Sequence, residues 1–451
     1  MEEGDSEAKK ATQAYLAAQG DVEGQLSSAL SKAVHEAAPN CLARVAELLA
    51  QSAAAGAAAG AAPASGPLPM LRCAHPANAE VDAWLAKEVA EPVIEPELPI
   101  IDSHHHFWDH RVPQPWAMFR TKVYDAAEFA HDIATSGHNV VGTVYVQAGT
   151  YHLASGPAEF RPCGEVEYCQ GVAAQCESGV YAGPRFCWGV QGYADIRHEN
   201  AAAVLQRMAQ CRSFRGVRTM GPYDDAFKRG LALMADRGLV LDRWHMPKNG
   251  AADMSELPRL AALAREFPTL TVVLNHLGGL VGPAVANDPE ALAQWRAGIE
   301  ELAGCPNVVC KLGGIQMAAN GLGLEKRETP VGSDELLELT SPWYEHAVRT
   351  FGAARCLFES NYPVERDCVS YRTLVTLTLT PTVTLSPTPT LTLTLTPNLL
   401  FNPNPNPNPN PMTSSTCSRS SQPSWRSATP RRRTSSAARP SACMACVTHD
   451  A

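Results

Sequence analysis

Between residues 95 and 366, short apolar, β-branched runs recur and alternate with longer segments whose apolar positions return every three or four residues. The runs predict strands at Ile100–Asp102, Val140–Gln147, Phe186–Tyr193, Gly216–Arg218, Val240–Trp244, Thr271–Asn275, Val308–Lys311 and Cys356–Ser360. The segments between them predict helices at Glu199–Cys211, Ala226–Gly238, Ser255–Phe267, Asp288–Cys305 and Asp334–Phe351. Eight strands with helices between them, over about 270 residues, make an α/β chain of the (β/α)8 TIM-barrel class. A doubly wound open sheet uses the same elements, but no Gly-rich phosphate loop follows any of the strands. No helix is recognisable after Ser360, so the barrel is expected to lack its last helix and to leave apolar faces uncovered.

The flanks have other patterns. Residues 1–51 are Ala-rich, with Leu26, Leu30, Ala33 and Val34 at helical spacing, a break at Pro39, and Leu42, Val45, Ala46 and Leu49 resuming it. Two short helices cannot bury two apolar stripes alone, which points to a helical extension that pairs with a second copy or a docking partner. The stretch 26–49 resembles the docking and dimerisation helix pair of the DPY family. Residues 52–70 are an Ala/Gly/Pro linker, and 71–373 are the expected barrel. From 374 to 451 the chain reads as a disordered, low-complexity tail: alternating Thr-Leu, then repeated Asn-Pro. One hexanucleotide repeat encodes both dipeptides in different frames. The tail is therefore expected to be read-through followed by out-of-frame sequence, which sequencing the transcript tests.

Composition narrows the class. Apolar residues make up 45% and charged residues 18%, which excludes a wholly disordered or fibrous chain. No apolar run is long enough to span a membrane, and the acidic start Met1-Glu2-Glu3-Gly4-Asp5 does not resemble a leader. The net charge is −9, and the seven arginines from Tyr371 onward face one acid, Asp450, so the body is more acidic still. An acidic body argues against a nucleic-acid partner and leaves a small-molecule substrate. The fourteen cysteines sit mostly in apolar surroundings, such as Cys187 and Cys310, a pattern of reduced thiols and a cytoplasmic setting.

The chemistry concentrates in histidines at strand ends. In Ile100-Ile101-Asp102-Ser103-His104-His105-His106-Phe107-Trp108-Asp109 an apolar strand runs directly into H-x-H. Residues i and i+2 of a strand share a face, so His104 and His106 converge in the barrel mouth, where two neutral imidazoles suit a divalent metal. His276 ends the sixth strand in Val272-Val273-Leu274-Asn275-His276-Leu277-Gly278-Gly279, and His245 follows the fifth. Arg218 ends the fourth strand, where a guanidinium fits a carboxylate or an ester oxygen. Gln147 and Tyr151 follow the second strand as neutral hydrogen-bonding groups, Trp108 follows the histidines, and Lys311 ends the seventh strand to balance charge.

Five motifs in order, I-D-S-H-H-H-F-W-D, N-V-V-G-T-V-Y-V-Q-A-G, V-V-L-N-H-L-G-G, V-V-C-K-L-G-G and F-E-S-N-Y-P-V, resemble the amidohydrolase superfamily over residues 97–373, and more narrowly its lactonase-like branch. The resemblance implies a barrel hydrolase of small cyclic esters, with Zn or Mn held by His104 and His106. His276, His245 and Asn361 would be catalytic, and Arg218, Gln147, Tyr151 and Trp108 would meet substrate. In a metal-free site the same histidines would polarise the carbonyl by hydrogen bonding. The family places Asp where this chain has Asn361, and an amide cannot serve as a carboxylate base. That leaves a non-hydrolytic lyase, a decarboxylase or hydratase, as the second enzyme class. An inactive barrel acting through its N-terminal helices is the third reading, and Glu359 or Glu365 would have to replace the missing acid.

Overall fold

A computed structural model describes residues 75–111, 119–181, 183–245, 250 and 252–377. The expected helical extension, the linker and the tail beyond 377 lie outside the described residues. Eight parallel strands follow one another around a barrel: β1 (Ile100–His105), β2 (Val140–Val146), β3 (Arg185–Gly192), β4 (Phe214–Arg218), β5 (Val240–Arg243), β6 (Val272–Leu274), β7 (Val308–Leu312) and β8 (Cys356–Phe358). All eight predicted strands are present with shifted ends. Between them run α1 (Ala126–Ser136), α2 (Cys163–Glu177), α3 (Ala201–Met208), α4 (Asp225–Asp236), α5 (Glu256–Glu266), α6 (Pro289–Ala303) and α7 (Ser333–Phe351). The helix pattern missed two of these. For α1 a signature was present: Asp125 caps the helix and Glu128 bonds back to the Asp125 amide, a capping box in D-A-A-E. In α2 the apolar residues spread around the helix and leave no sharp stripe.

Alternation along the strands makes two cores. Val144, Val240, Val273, Val309 and Leu357 point inward and fill the barrel interior. Their neighbours point outward and join the helices in one large apolar layer. The nine described cysteines are free and seven of them are buried, as expected for thiols used as small apolar groups.

The seam between β1 and β8 is closed largely by residues just past the strand ends. His105 pairs with Tyr362, the Asn361 amide donates to the His104 carbonyl (2.8 Å), and the His106 amide donates to the Tyr362 carbonyl (2.7 Å). Side chains complete the closure. Ser103 Oγ donates to the Phe358 carbonyl (2.6 Å), and the buried Asp102 carboxylate accepts from the Ser360 amide (2.9 Å) and from Tyr371 Oη (3.0 Å). Burial pushes the Asp102 carboxyl up to about 6, against the lowering effect of these donors.

Tyr371 belongs to a helical segment over residues 371–377, where the pattern predicts no eighth helix and the tail is expected to begin at 374. Leu374, Val375 and Leu377 are buried against the barrel, and Thr376 Oγ1 meets His138 Nε2 at 3.1 Å. Over 371–377 the chain reads Y-R-T-L-V-T-L, in which Leu374 and Leu377 stand three apart and share one buried face of the helical segment. Leu374→Ala should therefore destabilise the barrel by about 2–5 kcal/mol. Urea unfolding of the full chain measures this, and an unchanged midpoint would place residue 374 outside the folded core.

Candidate active site

The strands deliver polar side chains to one end of the barrel, their carboxyl end, where barrels of this class keep their chemistry. β1 brings His104 and then His106, both buried. Alternation sends His105 outward instead, among Phe107, Phe129 and Tyr145. After β6 the backbone turns through left-handed conformations at His276 (φ 48°) and Leu277 (φ 54°), and after β8 it does so again at Asn361 (φ 52°). Such conformations cost of order 1–3 kcal/mol each and gather at functional sites. The β6 turn lays the His276 ring on His104, with centroids 4.8 Å apart and planes 24° from parallel. The two glycines after β7 supply clearance. A Cβ on Gly314 (φ 70°) would lie 2.0 Å from His276 Nδ1, and one on Gly313 would lie 2.3 Å from Glu359 Cγ.

One carboxylate organises the rings. Glu359 Oε2 stands 2.8 Å from His104 Nδ1, and its Oε1 stands 2.8 Å from His276 Nδ1. His104 Nδ1 also faces Asn275 Oδ1 at 3.0 Å and Lys311 Nζ at 3.2 Å. The Asn275 amide is oriented by its Nδ2, which donates to Asp242 Oδ1, while Lys311 Nζ donates to Asp242 Oδ2 at 2.8 Å. His104 Nδ1 thus has two oxygen acceptors, so it carries the proton. Burial, followed by the positive charge of Lys311, holds the His104 imidazole well below its usual pKa range, so the ring is neutral. Its Nε2 is then an acceptor. The same logic applies to His106. Its Nδ1 donates to the Val146 carbonyl (2.7 Å), and burial, then Arg218, keeps the ring neutral.

These assignments leave two acceptor nitrogens facing each other, one of them also met by Arg218 Nη1 at 3.4 Å. His104 Nε2 and His106 Nε2 are 3.0 Å apart, and Asn361 Oδ1, another acceptor, is 3.3 Å from His106 Nε2. Lone pairs aimed at one another at this range call for a cation. The separation is close to the roughly 3.3 Å that two imidazoles take on one tetrahedral zinc. The donor set therefore fits a divalent metal at His104 and His106. His104, His276 and Glu359 also form a group with ligand atoms within 4.8 Å of one another. In that group, though, the Nδ1 protons are already committed to the carboxylate, the usual outer-shell arrangement behind a ligating histidine.

Arg218 completes the cluster. It is half-buried, its Nη1 lies 3.4 Å from His104 Nε2, and its Nη2 donates to the Gln147 carbonyl. The loop carrying Gln147 is gripped by the buried Glu165, whose carboxylate accepts from the Ala148 amide (2.6 Å) and Tyr145 Oη (2.7 Å).

Five of the expected residues thus meet: His104, His106, His276, Arg218 and Asn361. The others sit differently. Gln147 takes part through its backbone carbonyl. Tyr151 stacks on Tyr168, with centroids 3.8 Å apart. Trp108 is buried between His110 and Phe119, its Nε1 donating to the Thr121 carbonyl, and it flanks His106 at 6.3 Å. The structure does not bring His245 to the cluster: its Nε2 faces the Asp253 carbonyl at 3.1 Å. Strand alternation explains this, because Asp242 and Trp244 point inward and His245 follows the outward phase.

Glu359, Asn275 and Asp242 were missed as site residues, with Glu359 weighed only as a replacement acid and Lys311 only as a balancing charge. The available signal was a polar or charged residue inside an otherwise apolar strand end, as in L-D-R, L-N-H, C-K-L and F-E-S.

The amidohydrolase family model matches residues 101–390 of this chain. An uncharacterised protein of Sinorhizobium fredii, y4mH, is 28% identical over 308 residues, covering 61% of this chain and 88% of that protein. An L-fucono-1,5-lactonase of Burkholderia multivorans is 29% identical over 292 residues, covering 61% of this chain and 86% of its own. A crystal structure of an amidohydrolase from Burkholderia multivorans with bound zinc is 25% identical, covers 63% of this chain and 92% of that one, and has a TM-score of 0.46. With the barrel, the strand-end histidines and a family match over most of the chain in hand, the chain belongs to the amidohydrolase family.

Proposed function

We propose that this chain hydrolyses a lactone, the cyclic ester of a small hydroxy acid, at the carboxyl end of its barrel. The observation that carries the reading is the Glu359 bridge to both His104 and His276. Its support among relatives is the lactonase of Burkholderia multivorans, 29% identical.

The bridge supplies what Asn361 cannot. With Nδ1–H of His276 donating to Glu359, the His276 Nε2 is a base oriented by a carboxylate, the arrangement that activates hydroxyl nucleophiles in hydrolases generally. His276 takes a proton from water as the water oxygen bonds to the lactone carbonyl carbon. As the ring C–O bond breaks, the same proton passes to the departing ring oxygen, leaving a hydroxy acid. Arg218 donates to the carbonyl oxygen, which gains negative charge along this path. Zinc or manganese bound by His104 and His106, with Asn361 Oδ1 beside them, would add Lewis-acid polarisation of that carbonyl. In a metal-free site the polarising donor is Arg218, because both imidazole Nε2 atoms are acceptors. Decarboxylation consumes no water and needs no water-activating base, and the Glu359–His276 pair supplies one, which favours hydrolysis over decarboxylation.

Two outcomes follow. Glu359→Gln, assayed on a panel of sugar 1,5-lactones by acid release at neutral pH, should lower kcat by about 10²–10⁴-fold with little change in KM. A variant with the wild-type kcat would remove Glu359 from the chemistry. The purified protein should carry about one equivalent of divalent metal that His104→Ala fails to retain, read by elemental analysis. Full metal content together with full lactone hydrolysis in His104→Ala would overturn the site assignment.

A further inference from the structure

The proposed chemistry lies at the carboxyl end of the barrel, and a second concentration of charge lies at the opposite end. A cavity of about 140 Å³ opens where β3 and β4 begin. Its walls come from the end of α2 (Glu177), the first turn of β3 (Arg185 and Trp188) and the approach to β4 (Arg212 and Arg215). Trp188 fits there because Gly142 of the neighbouring β2 leaves room for it: a Cβ on Gly142 would lie 2.5 Å from Trp188 Cε3. The Arg185 guanidinium lies over this indole, 4.8 Å from the ring centroid.

The charges around the cavity do not balance. Three guanidiniums face one carboxylate, an excess of two positive charges on a chain whose net charge is −9. Glu177 pairs with Arg212. Neither Arg185 nor Arg215 has a carboxylate partner among the described residues. Arg215 is half-buried, and its Nη1 donates to the carbonyls of Arg212 (2.6 Å) and Phe214 (2.9 Å). Those bonds fix the guanidinium but leave its charge uncompensated. Burial also holds Arg215 below the usual pKa range of arginine. A cation drawn out of water is costly unless it is paired, and cations gathered together repel. Two more deeply buried arginines meet this requirement within the chain: Arg243 pairs with Glu256, and Arg366 with Asp82 and Asp132. At the β3–β4 cavity the counter-charge is missing, and the exposed Arg185 and Arg212 leave a path for a soluble anion.

We propose that this cavity is an oxyanion site that takes a phosphate group, as inorganic phosphate or as a phosphomonoester. Arg185 and Arg215 supply the uncompensated charges, and Arg212 is a third donor. The excess of two positive charges matches a phosphate dianion. Guanidiniums arriving from separate stretches of chain suit a tetrahedral anion better than a flat carboxylate, which one guanidinium fork satisfies. An anion held there ties the starts of β3 and β4 together, away from the catalytic end, so it stabilises the fold without entering the reaction.

The test titrates the full chain, in phosphate-free buffer at constant ionic strength, with inorganic phosphate, with a simple alkyl phosphate and with acetate. Binding is read by calorimetry and by melting temperature. The wild type should bind phosphate saturably with Kd of about 1 mM or tighter and melt higher as it saturates. Acetate should bind at least about tenfold more weakly. The tighter of the two phosphate ligands identifies the source of the phosphate group. Arg185→Gln and Arg215→Gln should each weaken phosphate binding by at least about tenfold. Arg185 is exposed, so its variant tests the site even where Arg215→Gln fails to fold. The melting temperature of Arg185→Gln without phosphate should match that of the wild type, which separates loss of the site from loss of the fold. Undiminished phosphate affinity in Arg185→Gln would place the anion elsewhere on the chain and overturn the proposal, as would phosphate binding no tighter than that of acetate.

Discussion

The site depends on one buried carboxylate shared by two imidazoles. Glu359, fully buried after β8, uses one oxygen for His104 and the other for His276. A carboxylate accepts only, so each ring must turn its Nδ1–H toward it, and each Nε2 is left as an acceptor. This single constraint divides the labour. His104 joins His106 in a pair of nitrogen acceptors fit for a cation, while His276 Nε2 is the acceptor that takes the proton in the proposed reaction. The surrounding groups reinforce the assignment: Asp242 holds both the Asn275 amide and the Lys311 ammonium, leaving Asn275 Oδ1 as a second acceptor at His104.

The barrel keeps this geometry by crowding and by closure. Gly313 and Gly314 allow the β7 exit to press against Glu359 and His276, where any side chain would collide. The seam between β1 and β8 is stitched by Asp102, Ser103, Ser360 and Tyr371, so the strand that carries the histidine pair is locked to the strand that carries the carboxylate. The helical segment over 371–377 therefore bears on the site, since its Tyr371 hydroxyl reaches Asp102, two residues before His104.

Much of this was legible in the sequence because periodicity is physical. The strands showed as β-branched runs since they are buried on both faces, and H-x-H at the end of β1 announced two rings on one side. What escaped has equally physical reasons. Glu359 and Asp242 act through partners that are distant in sequence, and no local pattern reports such pairing. His245 had the right residue type after the right strand but the wrong phase, a one-residue matter that settles which way a ring points. Residues 371–377 were hidden because they run directly into the Thr-Leu repeat, although Val375 sets Leu374 and Leu377 three apart, the spacing of one helix face.

The most direct test of the central constraint is the protonation pattern of the histidine rings, read by nuclear magnetic resonance on protein carrying isotope-labelled histidine. Signals are assigned by their loss in His104→Gln and His276→Gln. The account predicts neutral rings at both positions with the proton on Nδ1, and loss of that uniform pattern in Glu359→Gln. A wild-type protein whose His104 and His276 carry their protons on Nε2 would contradict it.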